Sequence, residues 1–217
     1  MATVGGQPGL IGPSPLSLGF ADYQLAAGQH ICAIYENHVE QAAVSVPYVK
    51  TGLALRQRVI YLGDERAADE LQRLLALEQV PVQQHITQGD LLFLCRDAPY
   101  RRHGRLQPGL LLEVGKELVR SSLAEGWPLV RLLGEHTWLL RTPQDITRWL
   151  AYESRLDYEL PGMPAIIVCH YDRTRLPAEF IDRIIATHPV AVLRGILHAN
   201  PFYHPPQQFL TSLRRPH

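Results

Sequence analysis

The segment VCHYD, residues 168–172, places four chemically capable side chains at the end of an apolar run. Cys169 could supply a thiolate, His170 a base or a metal ligand, and Tyr171 and Asp172 hydrogen bonds to a bound molecule. Strand alternation puts Cys169 and Tyr171 on one face and His170 and Asp172 on the other. Little in the neighbouring sequence lowers the pKa of the thiol, so a buried, unreactive cysteine is favoured.

A second group lies in VRLLGEHTW, residues 130–138. Arg131 falls inside an apolar run, where a charge needs a partner. Glu135 follows the run and is predicted to form a structural or ligand-orienting ion pair. Trp138 is compatible either with the wall of an apolar pocket or with ordinary core packing.

Further candidates are spread over three segments. Tyr35 and Glu36 follow the first apolar run, where Glu36 suits either a ligand or a helix N-terminus. Glu153 lies in AYESRL, and by periodicity alone it belongs to a solvated helix face. Asn200 and Tyr203 lie in HANPFYHPP, whose prolines predict a rigid closing segment beside a pocket mouth.

The spacing of histidine and cysteine contains no metal-binding or catalytic motif. His170, His188, His198 and His204 could meet at strand ends, but no H-x-H, H-x-x-x-H or C-x-x-C occurs. G-x-S-x-G is also absent. The sequence therefore predicts no metal, no cofactor and no catalytic residue.

The elements that must position these residues alternate between strands and helices. Short apolar runs lie at HICAIYE, RVIYLGD, DLLFLCRD, PLVRLLGE, AIIVCHYD and VAVLRGILHANPFY, with amphipathic helices between them. The first helix is expected to kink at Pro47 and to stop near Gly52. This alternation predicts a three-layer α/β/α fold around a mainly parallel twisted sheet. Ligands of such sheets bind beyond the carboxyl ends of the strands.

Composition limits the functional class. The 217 residues are 46% hydrophobic and carry 21 basic and 21 acidic side chains. This balance favours neither nucleic acid nor an anionic membrane. Three widely spaced cysteines, no signal sequence and no apolar span indicate a cytoplasmic protein.

We expect a flexible leader at 1–20, one domain at 21–206, and a tail at 207–217. The basic segment 100–107 is predicted to be a solvated loop.

Several blocks resemble the methanogen/methylotroph sensory domain family, known as MEDS. They are HICAIYENHVEQAAVSVPYVKTGLALRQRVIYLGDE, RLLGEHTWLL, AYESRL, VCHYDRTRLP and THPVAVLRGILHANPFYHPP, together covering about residues 22–206. The resemblance implies a RecA/KaiC-like fold and sensing of small hydrocarbon derivatives in signalling or transcription proteins. It also implies a partner protein, and it includes Glu153 in a family motif.

An active ATPase of this fold needs G-x-x-x-x-G-K-[ST] after the first strand. Here YENHVEQAAVS has neither glycine nor lysine, and it carries Glu36 and Glu40. Glu135 occupies the position of a Walker-B-like acid. We therefore expect a non-catalytic sensor that binds a small organic ligand at the strand ends and regulates a protein partner or transcription. Residual nucleotide-dependent or Cys/His chemistry is the alternative, and an oligomer-forming module is a third possibility. Direct nucleic-acid or membrane binding is not expected.

Overall fold

The computed structural model describes residues 16–21, 27–95, 101–103 and 105–213. Its strands are β1 Gln29–Tyr35, β2 Arg58–Leu62, β3 Leu91–Leu94, β4 Arg101–Arg102, β5 Arg105–Leu106, β6 Val130–Glu135, β7 Ala165–Asp172, β8 Val190–Leu193 and β9 Ile196–Ala199. Its helices are α1 His38–Ala54, α2 Glu65–Leu77, α3 Val82–Gln88, α4 Pro108–Ala124, α5 Pro143–Glu159, α6 Ala178–Ala186 and α7 Pro206–Leu213, with a 3-10 turn at Thr137–Leu139.

Seven strands form one sheet in the order β3-β2-β6-β7-β1-β8-β9. All neighbours pair in parallel except β8 and β9, which form an antiparallel hairpin. Both residues of the hairpin turn have positive φ, 52° at Arg194 and 74° at Gly195, as a type I′ turn requires. The strands β4 and β5 form a separate two-residue ladder.

Two apolar layers cover the sheet. On one face α1 and α2 pack over residues such as Ile31, Val59 and Val168. On the other face α4, α5, α6 and α7 pack over Cys32, Ile167 and their neighbours. The predicted three-layer α/β/α fold with a mainly parallel sheet is confirmed.

Arg131 explains an unexpected feature of α1. The helix runs past Gly52 to Ala54 rather than ending there, and Pro47 lies inside it. A Cβ atom at Gly52 would lie 2.6 Å from Cδ of Arg131, so glycine makes room for that side chain. The Arg131 guanidinium donates to Oε1 of Gln57 at 2.5 Å and to the carbonyl of Ser17 at 2.6 Å. Arg131 therefore has the partners that a buried charge was predicted to need. These partners lie on the face of the sheet that α1 covers.

Helix α5 brings polar side chains into the other layer. Thr142 caps its N-terminus by accepting from the amide of Asp145, and Pro143 occupies the first turn. Its inward face carries Trp149, Leu156 and Glu153, and Glu153 is completely buried. The expectation of a solvated Glu153 was therefore wrong.

None of the helices within the described ranges is both long and apolar enough to cross a membrane. The short helix α7 buries Phe209 in the layer containing α5. The basic segment 100–107 falls partly outside the described residues, as do most of the predicted leader and the last four residues.

Candidate functional site

A buried polar cluster lies between the sheet and α5. Parallel pairing aligns Cys32 of β1 with Cys169 of β7. His30 lies two positions before Cys32, and therefore on the same face of the sheet as Cys169. Helix α5 places Glu153 over these strands, and His188 enters from the loop between α6 and β8. The four cluster residues His30, Glu153, Cys169 and His188 are at most 1% exposed.

The carboxylate of Glu153 is the centre of this cluster. Its Oε2 lies 2.7 Å from Nε2 of His30 and 3.2 Å from Nε2 of His188. Its Oε1 accepts a 2.6 Å hydrogen bond from the hydroxyl of Tyr171. The Sγ atom of Cys169 lies 3.4 Å from Nε2 of His30. Segments far apart in sequence thus converge on one carboxylate.

An outer layer of contacts holds these side chains in place. The indole of Trp149 donates to the Tyr171 hydroxyl at 2.7 Å. Nδ1 of His188 lies 2.8 Å from the carbonyl of Ile184. Nδ1 of His30 lies 3.5 Å from Oδ1 of Asp157.

Charge within the cluster is set by competition between burial and ion pairing. Burial alone would raise the pKa of Glu153, but the facing His30 and His188 outweigh it and hold that pKa well below its ordinary value. Burial would lower the pKa of His30, but the charge of Glu153 raises it well above normal. Burial, followed by the charge of His30, lowers the pKa of His188. In the protein alone these shifts favour a His30–Glu153 ion pair beside a neutral His188.

The same surroundings suppress thiolate chemistry at Cys169. Burial, reinforced by the charge of Glu153, raises the pKa of the thiol to about 12. The preference for an unreactive Cys169 thus agrees with its surroundings, although it lies in a polar cluster and not in a purely apolar core.

An apolar cleft adjoins the cluster between α4, α5 and the sheet. Its walls include Leu111 and Leu112 of α4, Trp149 and Leu156 of α5, and Trp138, and Cys169 forms part of its lining. The cavity volume of the cleft is only about 40 Å³, so its inner part is narrow. One end of the cleft lies at the carboxyl ends of β2 and β6.

His136 lines the end of this cleft that lies near the carboxyl ends of β2 and β6. Its ring packs 4.4 Å from that of Trp149, and it is 6% exposed. A Cβ atom at Gly134 would lie 2.0 Å from Nε2 of His136, so only glycine permits this position. Burial lowers the pKa of His136 to about 4, which leaves the ring neutral near pH 7.

The segment between β1 and α1 uses its own side chains to bind its free amides. Oδ1 of Asn37 accepts from the amides of Val39 and Glu40, each at 3.0 Å. Oε2 of Glu40 accepts from the amide of Glu36 at 2.9 Å. These amides lie where a phosphate-binding loop of this fold would present its donors. Acidic and amide side chains therefore take the positions that an anion would need.

The matching family model is described as "MEthanogen/methylotroph, DcmR Sensory domain" and spans residues 29–189, most of the chain. The chain belongs to the MEDS family. The match contains β1 to α6 and all four cluster residues of this MEDS domain. The resemblance inferred from the sequence blocks is confirmed at the level of the family.

Solved structures place the MEDS domain among KaiC-like folds. A KaiC-like protein of the hyperthermophilic archaeon Pyrococcus horikoshii is 13% identical, with a TM-score of 0.51 over 76% of this chain and 71% of that one. The flagellar accessory protein FlaH of Methanocaldococcus jannaschii is 12% identical, with a TM-score of 0.48 over 79% and 75% of the two chains. No curated protein sequence matches the chain. The first likeness supports the predicted RecA/KaiC-like fold and extends no further than the fold.

The predicted site residues separate into distinct places. Glu153, Cys169 and Tyr171 belong to the buried cluster, and Trp138 and Cys169 line the cleft. Asn200 donates to the carbonyls of Ile185 and His188, at 2.7 and 2.8 Å, and so fixes the loop that carries His188.

Tyr203 approaches the cluster from outside. Burial and the nearby charge of Asp157 raise the pKa of Tyr203 to about 12. Tyr203 therefore lies behind Asp157, which in turn faces His30. This position puts Tyr203 outside the four-residue cluster, and its place beside a pocket stays a prediction.

Three other candidates lie on the α1 face or at the strand ends. The hydroxyl of Tyr35 donates to Oε1 of Glu135 at 3.4 Å, and the same oxygen accepts from the amide of Thr137 at 3.1 Å. Burial raises the pKa of Glu135. The ring of His170 packs edge-on against Tyr35 at 5.9 Å. Burial lowers its pKa to about 3, so His170 is neutral near pH 7.

The remaining candidates lie at the surface of the strand ends. Glu36 forms a 2.8 Å ion pair with Arg173 in a depression near β8 that is lined by both charged and apolar side chains. Oδ1 of Asp172 accepts from the amide and hydroxyl of Thr174, which caps the turn after β7. These contacts give Glu36 and Asp172 local structural roles.

Sequence reasoning did not select His30, Trp149 or Asp157, and it considered His188 among histidines that could meet at strand ends. Nδ1 of His188 contacts the backbone, and its Nε2 faces Glu153. A usable signal for His30 was available: a histidine at an inward position of a predicted core strand, on the same face as Cys32 and Ile34. Such a residue requires a buried polar partner.

Proposed function

We propose that this MEDS domain senses a small, weakly polar organic molecule that binds in the cleft between α4, α5 and the sheet. Binding there would shift α5 and alter the contacts of the domain with a protein partner. The observation that carries the proposal is the apolar lining of the cleft, from Leu111 and Leu112 to Trp138 and Trp149. Clefts that bind small molecules are typically apolar, with a few convergent polar groups.

The chemistry of the cleft favours a compact neutral ligand. Lys116 at its rim is paired with Glu159, so that its charge is compensated. His136 is neutral near pH 7 because burial lowers its pKa. A hydrocarbon or halogenated hydrocarbon would gain by leaving water and would require few hydrogen bonds. The family description as a sensory domain supports the same class of role.

The phosphate region favours this proposal over nucleotide chemistry. Asn37 and Glu40 already accept from the amides that an anion would need. Exposed Glu36 and half-buried Glu40 add negative charge beside those donors. A triphosphate would have to displace these contacts and approach like charges.

Thermal unfolding in the presence of dichloromethane or benzene tests the proposal. A ligand that binds only the folded state raises Tm with concentration. Gly115 of α4 lines the cleft, and a Cβ atom there would meet nothing within 4 Å. Gly115→Leu should therefore place an apolar side chain in the cleft with no clash at its Cβ atom, and should also favour the helix.

Gly109→Leu is the matched control, because Gly109 lies in the same helix, has open space beside it and does not line the cleft. We expect the probes to raise Tm for the unmodified chain and for Gly109→Leu, but not for Gly115→Leu. Equal shifts in all three proteins, or no shift in the unmodified chain, would contradict binding in the cleft.

A further inference from the structure

We propose that His30, Glu153, Cys169 and His188 form a binding site for a divalent transition-metal ion of the zinc class. The site lies under α5 and is separate from the organic-ligand cleft, although Cys169 borders both. It stands independently of the proposed sensing function.

The positions of the four ligand atoms carry this proposal. Each residue offers one imidazole nitrogen, carboxylate oxygen or thiol sulfur, and these atoms all lie within 4.8 Å of one another. Zinc–ligand bonds of about 2.0–2.3 Å in a tetrahedron require ligand atoms roughly 3.3–3.8 Å apart. Nε2 of His30 lies 3.4 Å from Cys169 Sγ, within this range, and Nε2 of His188 lies 3.2 Å from Glu153 Oε2, just below it. Nε2 of His30 lies only 2.7 Å from Glu153 Oε2, so these two atoms would have to move apart by about 0.6 Å. Small rotations of these side chains would create the tetrahedron.

Two buried atoms aimed into the site provide a second observation. Oε2 of Glu153 and Nε2 of His188 are fully enclosed, yet neither makes a hydrogen bond of good geometry within the described part of the protein. They lie 3.2 Å apart, and Nε2 of His30 approaches the same oxygen at 2.7 Å. Buried polar atoms whose close contacts lack hydrogen-bond geometry cost free energy. A cation between them would satisfy both nitrogens and the oxygen together.

The groups behind the ligands are those that orient metal-binding histidines. A ligating imidazole usually directs its second nitrogen at a carbonyl or carboxylate. Nδ1 of His188 lies 2.8 Å from the carbonyl of Ile184, and Nδ1 of His30 lies 3.5 Å from the carboxylate of Asp157. Both contacts favour the tautomer with its Nε2 lone pair facing the cluster. Tyr171 holds the other oxygen of Glu153 and leaves Oε2 for the ion.

The donor set identifies the class of ion. One sulfur, two imidazoles and one carboxylate suit borderline ions such as Zn²⁺ or Co²⁺, whereas Mg²⁺ and Ca²⁺ prefer oxygen ligands. Four protein ligands complete a tetrahedron, and all four are almost inaccessible to solvent. Such closed sites stabilise folds, because an ion that binds only the assembled ligands adds its binding energy to folding.

Metal analysis of the full chain, purified without an added histidine tag, tests the site. Protein expressed with zinc should retain about one ion per chain after gel filtration, in the ratio that a single tetrahedral site gives. After removal of zinc by a chelator, titration with Co²⁺ should give tetrahedral d–d bands and a thiolate-to-cobalt charge-transfer band. Cys169→Ala should lose the charge-transfer band and most of the affinity.

Cys32→Ala is the matched control, because Cys32 is equally buried and directly opposite Cys169 in the sheet but is not among the four ligands. It should bind Co²⁺ with the thiolate band intact. Asp157→Asn should weaken binding roughly 10–100-fold, since it changes only the group behind His30. Circular dichroism and gel filtration establish that each variant is folded.

Two results would overturn the proposal. One is zinc-supplemented protein that contains far less than one ion per chain and shows no saturable Co²⁺ spectrum. The other is a folded Cys169→Ala protein that binds Co²⁺ as tightly as Cys32→Ala. Either result would leave the cluster as a buried His30–Glu153 ion pair without a bound metal ion.

Discussion

Glu153 shows at the residue scale how far a local pattern can mislead. Its neighbours in sequence indicate a solvated helix face, yet it is fully buried, with one oxygen facing Tyr171 and the other facing His30 and His188. A buried carboxylate is tolerated only with such partners. The partners come from β1, β7 and the loop before β8, so no pattern within α5 reveals them. The inferred family motif was the one sequence signal that selected Glu153.

Tyr171→Phe tests the value of this hydrogen-bonded core. The change leaves the indole of Trp149 and Oε1 of Glu153 without their shared partner. We expect a loss of about 1–3 kcal/mol in the free energy of unfolding, because both groups stay buried. Urea denaturation followed by circular dichroism measures it.

Tyr61→Phe supplies the control for that measurement. Tyr61 is also buried, but its hydroxyl has no hydrogen-bond partner within the described structure. Removing that hydroxyl should leave the free energy of unfolding unchanged or slightly increased. A loss at Tyr61 equal to that at Tyr171 would argue against a specific contribution from the Tyr171–Glu153 contact.

At the scale of elements, hydrophobic periodicity and the positions of proline and glycine were sufficient to predict most of the helices and strands. The predicted strands correspond to β1, β2, β3, β6, β7 and the β8–β9 hairpin, and Pro108 is the first residue of α4. The end of α1 was predicted too early, because Gly52 serves the packing of Arg131 and does not terminate the helix. The short helix α3 was not anticipated; it has no side-chain cap and no buried residue.

The start of α1 gives a prediction for its capping residue. Asn37 accepts from two amides of the first turn, so Asn37→Ala should lower the free energy of unfolding by about 0.5–2 kcal/mol. His38→Ala alters the adjacent exposed position and should change it much less. Urea denaturation of the two variants side by side decides the point. An equal loss in both would mean that the cap contributes little to this helix.

The whole molecule retains a KaiC-like arrangement while the segment after β1 binds its own amides. We therefore expect calorimetric titration with Mg²⁺·ATP to show no binding, because Asn37 and Glu40 occupy the donors that a phosphate would need. Titration with Mg²⁺ alone corrects for heat from the cation. Saturable ATP binding, or turnover of ATP by the purified chain, would contradict this expectation.

The polar cluster could not be predicted from the sequence, because it depends on the order of the strands in the sheet. It depends on β7, β1 and β8 being adjacent, although 139 positions separate His30 from Cys169. Alternation predicts which face a side chain occupies but not which strands become neighbours. The inward histidine of β1 could have been flagged from the sequence, whereas its partners required the strand order.

Helix α5 contributes side chains both to the buried polar cluster and to the apolar cleft. Glu153 reaches the histidines, and one turn away Trp149 and Leu156 form the wall of the cleft. The same helix packs against α7. Any molecule that separates α5 from α4 must also lengthen the contacts of Glu153 and move the surface against which α7 packs. Binding of a small molecule inside the protein would thereby displace the surface around α7.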